Sequence, residues 1–134
     1  MRNLAVYIVM VFSLIACSDD DKVKSTDAEL LGTWKLSQVY MDPGDGSGDF
    51  TSVDSEKTIS FFSDGTLNSN TDLCFISSEI GQPSTGIFSE AEMTITVLEC
   101  DVSPFEMNFE IDNNNLIISY FCIEACQEKY VKPV

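Results

Sequence analysis

A chain of 134 residues with 22 acidic against 7 basic side chains and a formal net charge of −15 is long enough for one domain with a real core, and too short for two. So acidic a composition, with no cluster of Lys and Arg, repels phosphates and excludes nucleic acid as a partner. The absence of histidine removes the usual zinc set and the usual base of a catalytic triad.

At the N-terminus, Arg2 precedes an apolar run from Leu4 to Ala16. Its 13 residues fit the core of a signal peptide and fall short of the about 20 that a membrane-spanning helix needs. A cleaved leader over residues 1–16 is expected. The run ends in Leu14-Ile15-Ala16-Cys17, which resembles the lipobox of bacterial lipoproteins. That resemblance implies lipid on Cys17 and a membrane met through this lipid. Ser18, Asp19, Asp20 and Asp21 follow directly and are similar to the export signal of Bacteroidota lipoproteins. The similarity implies the outer membrane, with the protein displayed at the cell surface. Residues 17–29 are nearly all polar and read as a flexible acidic tether, because so little apolar area cannot offset the entropy of ordering. The remainder, 30–134, reads as a single folded domain.

From Leu30 on, short alternating runs broken by turn residues predict antiparallel β structure. Thr33 to Tyr40 opens, with Trp34 and Leu36 on one face and Lys35 and Ser37 on the other. The loop after it places oxygens at Asp45, Ser47 and Asp49, with Glu56 eleven residues beyond Asp45, near the spacing of a calcium-binding loop. Phe50 stands where such a loop turns on glycine, so a hydrated connection is the plainer reading and calcium the one metal the pattern suggests. Lys57 to Phe62 is the next strand, aligning Ile59 with Phe61, and Ser63-Asp64-Gly65 turns into Thr66-Leu67. Leu73 to Ser77 reads as a further strand region, closed by Gly81, Pro83 and Gly86. Ile87-Phe88 and Met93 to Leu98 flank Ser89-Glu90-Ala91-Glu92, with Met93, Ile95 and Val97 on one side. Phe105 to Ile111 and Leu116 to Phe121 form the clearest hairpin around Asp112-Asn113-Asn114-Asn115, since Asn and Asp accept the left-handed backbone of a tight turn. Glu128 to Lys132 closes the series. Eight or nine strands in local hairpins close most simply as a small antiparallel up-and-down β-barrel.

Besides Cys17, the cysteines are Cys74, Cys100, Cys122 and Cys126, an even set that reads as disulfides in an exported chain. Of three possible pairings we favour Cys122 with Cys126 across a three-residue hairpin loop, leaving Cys74 with Cys100.

Leu31-Gly32-Thr33-Trp34 at the head of the first strand resembles the Gly-x-Trp opening of lipocalins and of lipocalin-like lipoproteins in Bacteroidota. The resemblance implies a lipocalin-like barrel with Trp34 plugging one end. Lipocalins pack an arginine on that tryptophan; beyond Arg2 this chain has none, and Lys129 or Lys132 stands in its place. It also implies a small apolar ligand held among Phe61, Phe88, Met107, Phe109 and Tyr120. The alternative is a solid barrel acting at the surface on a partner protein or glycan. No enzyme is expected: the carboxylates Glu90, Glu92, Glu106 and Glu110 read as solvated.

Lipidation is tested by mass. Expressed in a Gram-negative host, the wild type should gain a diacylglyceryl mass and partition into detergent, and Cys17→Ala should do neither; equal partition of the two would refute the anchor.

Overall fold

The computed structural model describes residues 30–102 and 104–134. The expected leader 1–16, the expected lipidation at Cys17, the expected export signal Ser18 to Asp21 and the expected tether 17–29 lie outside the described residues. Among those described, nine strands form: β1 (Gly32–Met41), β2 (Phe50–Ser52), β3 (Thr58–Phe61), β4 (Thr66–Ser69), β5 (Ser84–Ser89), β6 (Thr94–Val97), β7 (Phe105–Asp112), β8 (Asn115–Ser119) and β9 (Cys126–Val131). Every pairing is antiparallel, and β1 bonds to β9 as well as to β3, closing the sheet. The fold is therefore an all-β, lipocalin-like barrel of eight strands, with β2 as a ninth laid against the far half of β1.

Alternation along each strand aims one set of side chains inward. Trp34, Leu36, Ile59, Phe61, Leu67, Ile95, Val97, Met107, Phe109, Leu116, Ile118 and Tyr130 are all buried there. β1 alone changes phase. Its register against β9 shifts between Leu36 and Gln38, so Leu36 faces Tyr130 while Val39 faces Glu128 and Met41 faces Cys126. This bulge keeps Val39 and Met41 on the inner side although simple alternation would turn them out.

The two ends of the barrel differ. At the first, turns are tight: Phe62 O accepts from Gly65 N at 3.1 Å, and Asn113 and Asn114 take φ of 49° and 67° in a two-residue connection between β7 and β8. Trp34 lies at this end, bonded through Nε1 to Leu30 O at 2.7 Å, and Lys132 Nζ sits 5.0 Å from its ring while donating to Leu31 O. Lysine thus covers the tryptophan where lipocalins use arginine. The second end carries the long connections 42–49, 53–57, 70–83 and 120–125, and both disulfides.

Three expectations need correction. The region Leu73 to Ser77 is not a strand: it belongs to the connection 70–83, whose Leu73 plugs the barrel mouth and is fully buried. Met93 is a turn residue with φ of 56°, and β6 starts after it. Cys122 and Cys126 do pair, as do Cys74 and Cys100, with Cα separations of 6.0 Å and 5.5 Å. However, β8 stops at Ser119, so the short bridge ties the wider connection 120–125 to the first residue of β9 rather than closing a three-residue hairpin loop.

Closing a longer loop restrains the unfolded chain more. By this chain-entropy argument Cys74→Ser/Cys100→Ser should cost about 3.5 kcal/mol and Cys122→Ser/Cys126→Ser about 2 kcal/mol, read by urea denaturation; the reverse order would overturn it.

Candidate functional site

At the open mouth the inward register of two strands carries charge instead of hydrocarbon. Lys57 precedes β3 in step with Ile59 and Phe61, and Glu128 stands on β9 between Cys126 and Tyr130. Both side chains are completely buried. Lys57 Nζ lies 2.8 Å and 2.9 Å from the two Glu128 oxygens. Glu128 Oε2 also accepts from the hydroxyls of Tyr120, at 2.7 Å, and Tyr130, at 2.5 Å. The remaining partners come from the 70–83 connection: Ser77 N donates to Glu128 Oε1 at 3.0 Å, and Ser77 O accepts from Lys57 Nζ at 3.0 Å. One residue of the loop, Ser77, is thus held through both its amide and its carbonyl by the buried pair.

A charge in so dry a place needs this many partners. Burial pulls the Lys57 ammonium below the ordinary lysine range, against the pull of the Glu128 carboxylate. Burial, reinforced by the negative charge of Glu128, pushes both tyrosine hydroxyls well above their usual value, so they stay protonated as donors.

The loop held this way is a lid. Ser55 Oγ donates to Ser78 O, Thr71 Oγ1 donates to Glu79 O, and the Cys74–Cys100 bridge ties the lid to the connection between β6 and β7. Between the lid and the inner face of β1 a cleft of about 360 Å³ stays open, lined by Val39, Met41, Val53, Ile76, Ser77, Ser78 and Glu79. Most of the exposed large apolar side chains belong to this end, namely Met41, Phe75, Ile80, Leu98, Val102, Phe121 and Ile123, whereas Phe62, Ile87, Val131 and Val134 are exposed on the outer wall or at the tight-turn end.

The residues expected to hold a ligand lie elsewhere. Phe61, Met107 and Phe109 are buried in the barrel, with Phe61 edge-on to half-buried Phe88 at 5.2 Å and 6.1 Å from Phe109. Tyr120 is the Glu128 donor just described. None of the five lines the cleft. The residues expected around calcium are spread out. Asp45 accepts from Ser47 N, Asp49 from Phe50 N, and Glu56 pairs with Lys35 at 2.7 Å. Among the described residues no group of three or more acidic or cysteine side chains is placed to hold a metal. That loop is organised by Asp42, whose carboxylate accepts from the backbone of Gly44, Gly46 and Gly48 and is held below its usual range by them. Glu106 and Glu110 lie exposed on the outer wall.

Lys57 and Glu128 were the residues sequence reasoning passed over, although their signal is simple: each shares the two-residue period of buried neighbours.

Two measurements follow. Glu128→Gln should cost about 3–5 kcal/mol of stability, since it breaks a buried pair, and Glu128→Leu/Lys57→Met should recover little of it because Tyr120, Tyr130 and Ser77 still lose their acceptor; recovery to wild-type stability would refute the network. The tyrosine pKa values are raised on folding, so their contribution is intact below the ordinary tyrosine value of about 10 and is lost as pH climbs through the folded values. Tyrosinate absorbance of Tyr120 and Tyr130 should therefore appear only together with alkaline unfolding, followed by circular dichroism.

Compared with known proteins, the chain matches no family model, no curated protein and no solved structure.

Proposed function

We propose that the protein is a lipoprotein of the outer membrane, anchored by lipid on Cys17 and displayed at the cell surface, in which a solid lipocalin-like barrel serves as a non-catalytic mount for an interaction surface at its mouth. The observation that carries this reading is the placement of the two ends. Leu30, where the described chain begins, is bonded to Trp34 at the tight-turn end. The apolar side chains of Met41, Phe75, Ile80, Phe121 and Ile123 are exposed at the other. A tether joined at the Trp34 end would leave the mouth, at the opposite end, free to face away from the membrane. Several large apolar side chains exposed at one end of a protein otherwise so acidic favour a place of contact there.

The interior supports the same view. A barrel of eight strands has room for its own side chains or for one small ligand, and here Trp34, Phe61, Phe109 and Tyr130 occupy it.

A small apolar ligand is the second reading, favoured by the cleft alone. Its about 360 Å³ and its Val39, Met41, Val53 and Ile76 walls are within the range of small-molecule sites, which often lie in barrel mouths.

One experiment separates them. A photo-crosslinking residue is placed at Ile123, at the mouth, or at Asn113, at the tether end, and cells are irradiated. The surface reading expects a discrete protein adduct from position 123 and none from 113. Equal adducts from both positions, or an apolar molecule found by native mass spectrometry in the purified protein together with no adduct, would move the conclusion to the small ligand.

A further inference from the structure

The lysines of the described residues are unevenly placed. Lys35, Lys129 and Lys132 lie along β1, β9 and the Trp34 end, where Lys35 pairs with Glu56 and Lys132 covers Trp34. The fourth, Lys57, is at the mouth but is buried and spent on Glu128. Of the others, Lys35 is engaged by Glu56 of the 53–57 connection and Lys129 lies 3.7 Å over the Phe50 ring at the start of β2, so each cation at this end already has a partner and acidic groups outnumber them in the mouth. The carboxylates Asp42, Asp72, Glu79, Glu99, Asp101 and Glu124 all stand on its loops. The apolar cleft and the exposed apolar side chains belong to the same end, and Glu79 lines the cleft itself.

The cleft is also preformed. Its lid wall is held at Ser77 by Lys57 and Glu128, at Ser78 by Ser55 and at Cys74 by the bridge to Cys100. A wall fixed before binding does not have to be ordered by the ligand, which favours affinity from a small contact.

Resting on the interaction reading above, we propose that the mouth receives a basic, apolar segment of a partner protein. One large aliphatic or aromatic side chain of that segment enters the cleft between Val53 and Ile76, and flanking Lys or Arg side chains meet Glu79 and the acidic loops. Charge complementarity selects this occupant. An anionic lipid surface or a nucleic acid would bring like charge to these carboxylates, and an uncharged apolar molecule would leave the field unused, whereas a basic segment is both steered and held by it. The size agrees, because the cleft is at the lower end of the range for small-molecule sites and takes one large side chain rather than a lipid tail.

The test uses the full mature chain bearing Cys17→Ala and three labelled synthetic peptides of equal length: Lys with Leu and Trp, the same with Glu for Lys, and the same with Ser for Leu and Trp. Fluorescence anisotropy should show binding of the first alone, weakening with salt. Glu79→Lys should weaken it about tenfold, and so should Met41→Gln, which changes an exposed residue of the cleft without changing charge. Glu110→Lys on the outer wall makes the same charge change as Glu79→Lys away from the mouth and should leave affinity within about twofold. Equal weakening by Glu79→Lys and Glu110→Lys, equal binding of the Ser or the Glu peptide, or adsorption to phosphatidylcholine vesicles in place of peptide would overturn the proposal. The interaction reading fails separately: an adduct from position 123 on cells with no peptide binding means that the partner is of another chemistry, and no adduct with peptide binding means that the site exists without a surface partner on those cells.

Discussion

A carboxylate turned into the middle of a barrel cannot be left alone, and Glu128 decides how the mouth is built. Its two oxygens take hydrogens from the Lys57 ammonium, two tyrosine hydroxyls and one backbone amide, so that strands β3 and β9, the end of β8 and the 70–83 connection are all joined at one point. Desolvating an ion of this kind costs several kcal/mol unless it is paired and hydrogen-bonded throughout, which makes the arrangement nearly all-or-none. A hydrophobic residue at position 128 would satisfy the barrel but would have no hold on Ser77. The polar pair is what ties a loop without secondary structure to a rigid wall.

Below that point the barrel is ordinary hydrocarbon packing. Inward side chains from facing strands meet at van der Waals distance, and the aromatic set of Phe61, Phe88 and Phe109 adds tilted and edge-on contacts. Lys132 over Trp34 finishes the tight-turn end and keeps its ammonium available to Leu31 O. The molecule is thereby divided along its axis into an end that closes the core, where the chain comes in, and an end that exposes apolar side chains beside acidic loops. Two disulfides stand at the second end only, where long connections have the most conformational freedom to lose.

Much of this was legible in the residues. Alternation named most of the strands, because a sheet closed around a core must place every second side chain inside. Asn113 and Asn114 announced their turn, since few other residues take positive φ cheaply. The pairing of the four cysteines was reached from spacing, although the hairpin imagined for Cys122 and Cys126 was too tight. β2 escaped notice because three residues carry too little pattern to register as a strand; only the ladder on β1 makes them one. Leu73 to Ser77 misled for the opposite reason: Leu73 is buried in the mouth, Ile76 lines the cleft and Phe75 is exposed, so its apolar residues serve a connection rather than face a sheet.

By itself, then, the sequence determined the class of the fold and favoured one pairing of the cysteines, because alternation and local spacing carry them, and its resemblances supplied the tryptophan end with Lys129 or Lys132 beside it and the expectation of an exported, lipid-anchored protein. Tertiary structure alone decided the rest. Lys57 and Glu128 are 71 residues apart, and Ser77 lies 51 residues from Glu128, so nothing local relates them. Their meeting depends on the closure of β1 onto β9 and on a one-residue change of phase in β1, which together bring distant inward positions to one level of the barrel. The cleft beside them, and the separation of the mouth from Leu30, where the described chain begins, exist only once that closure has been made.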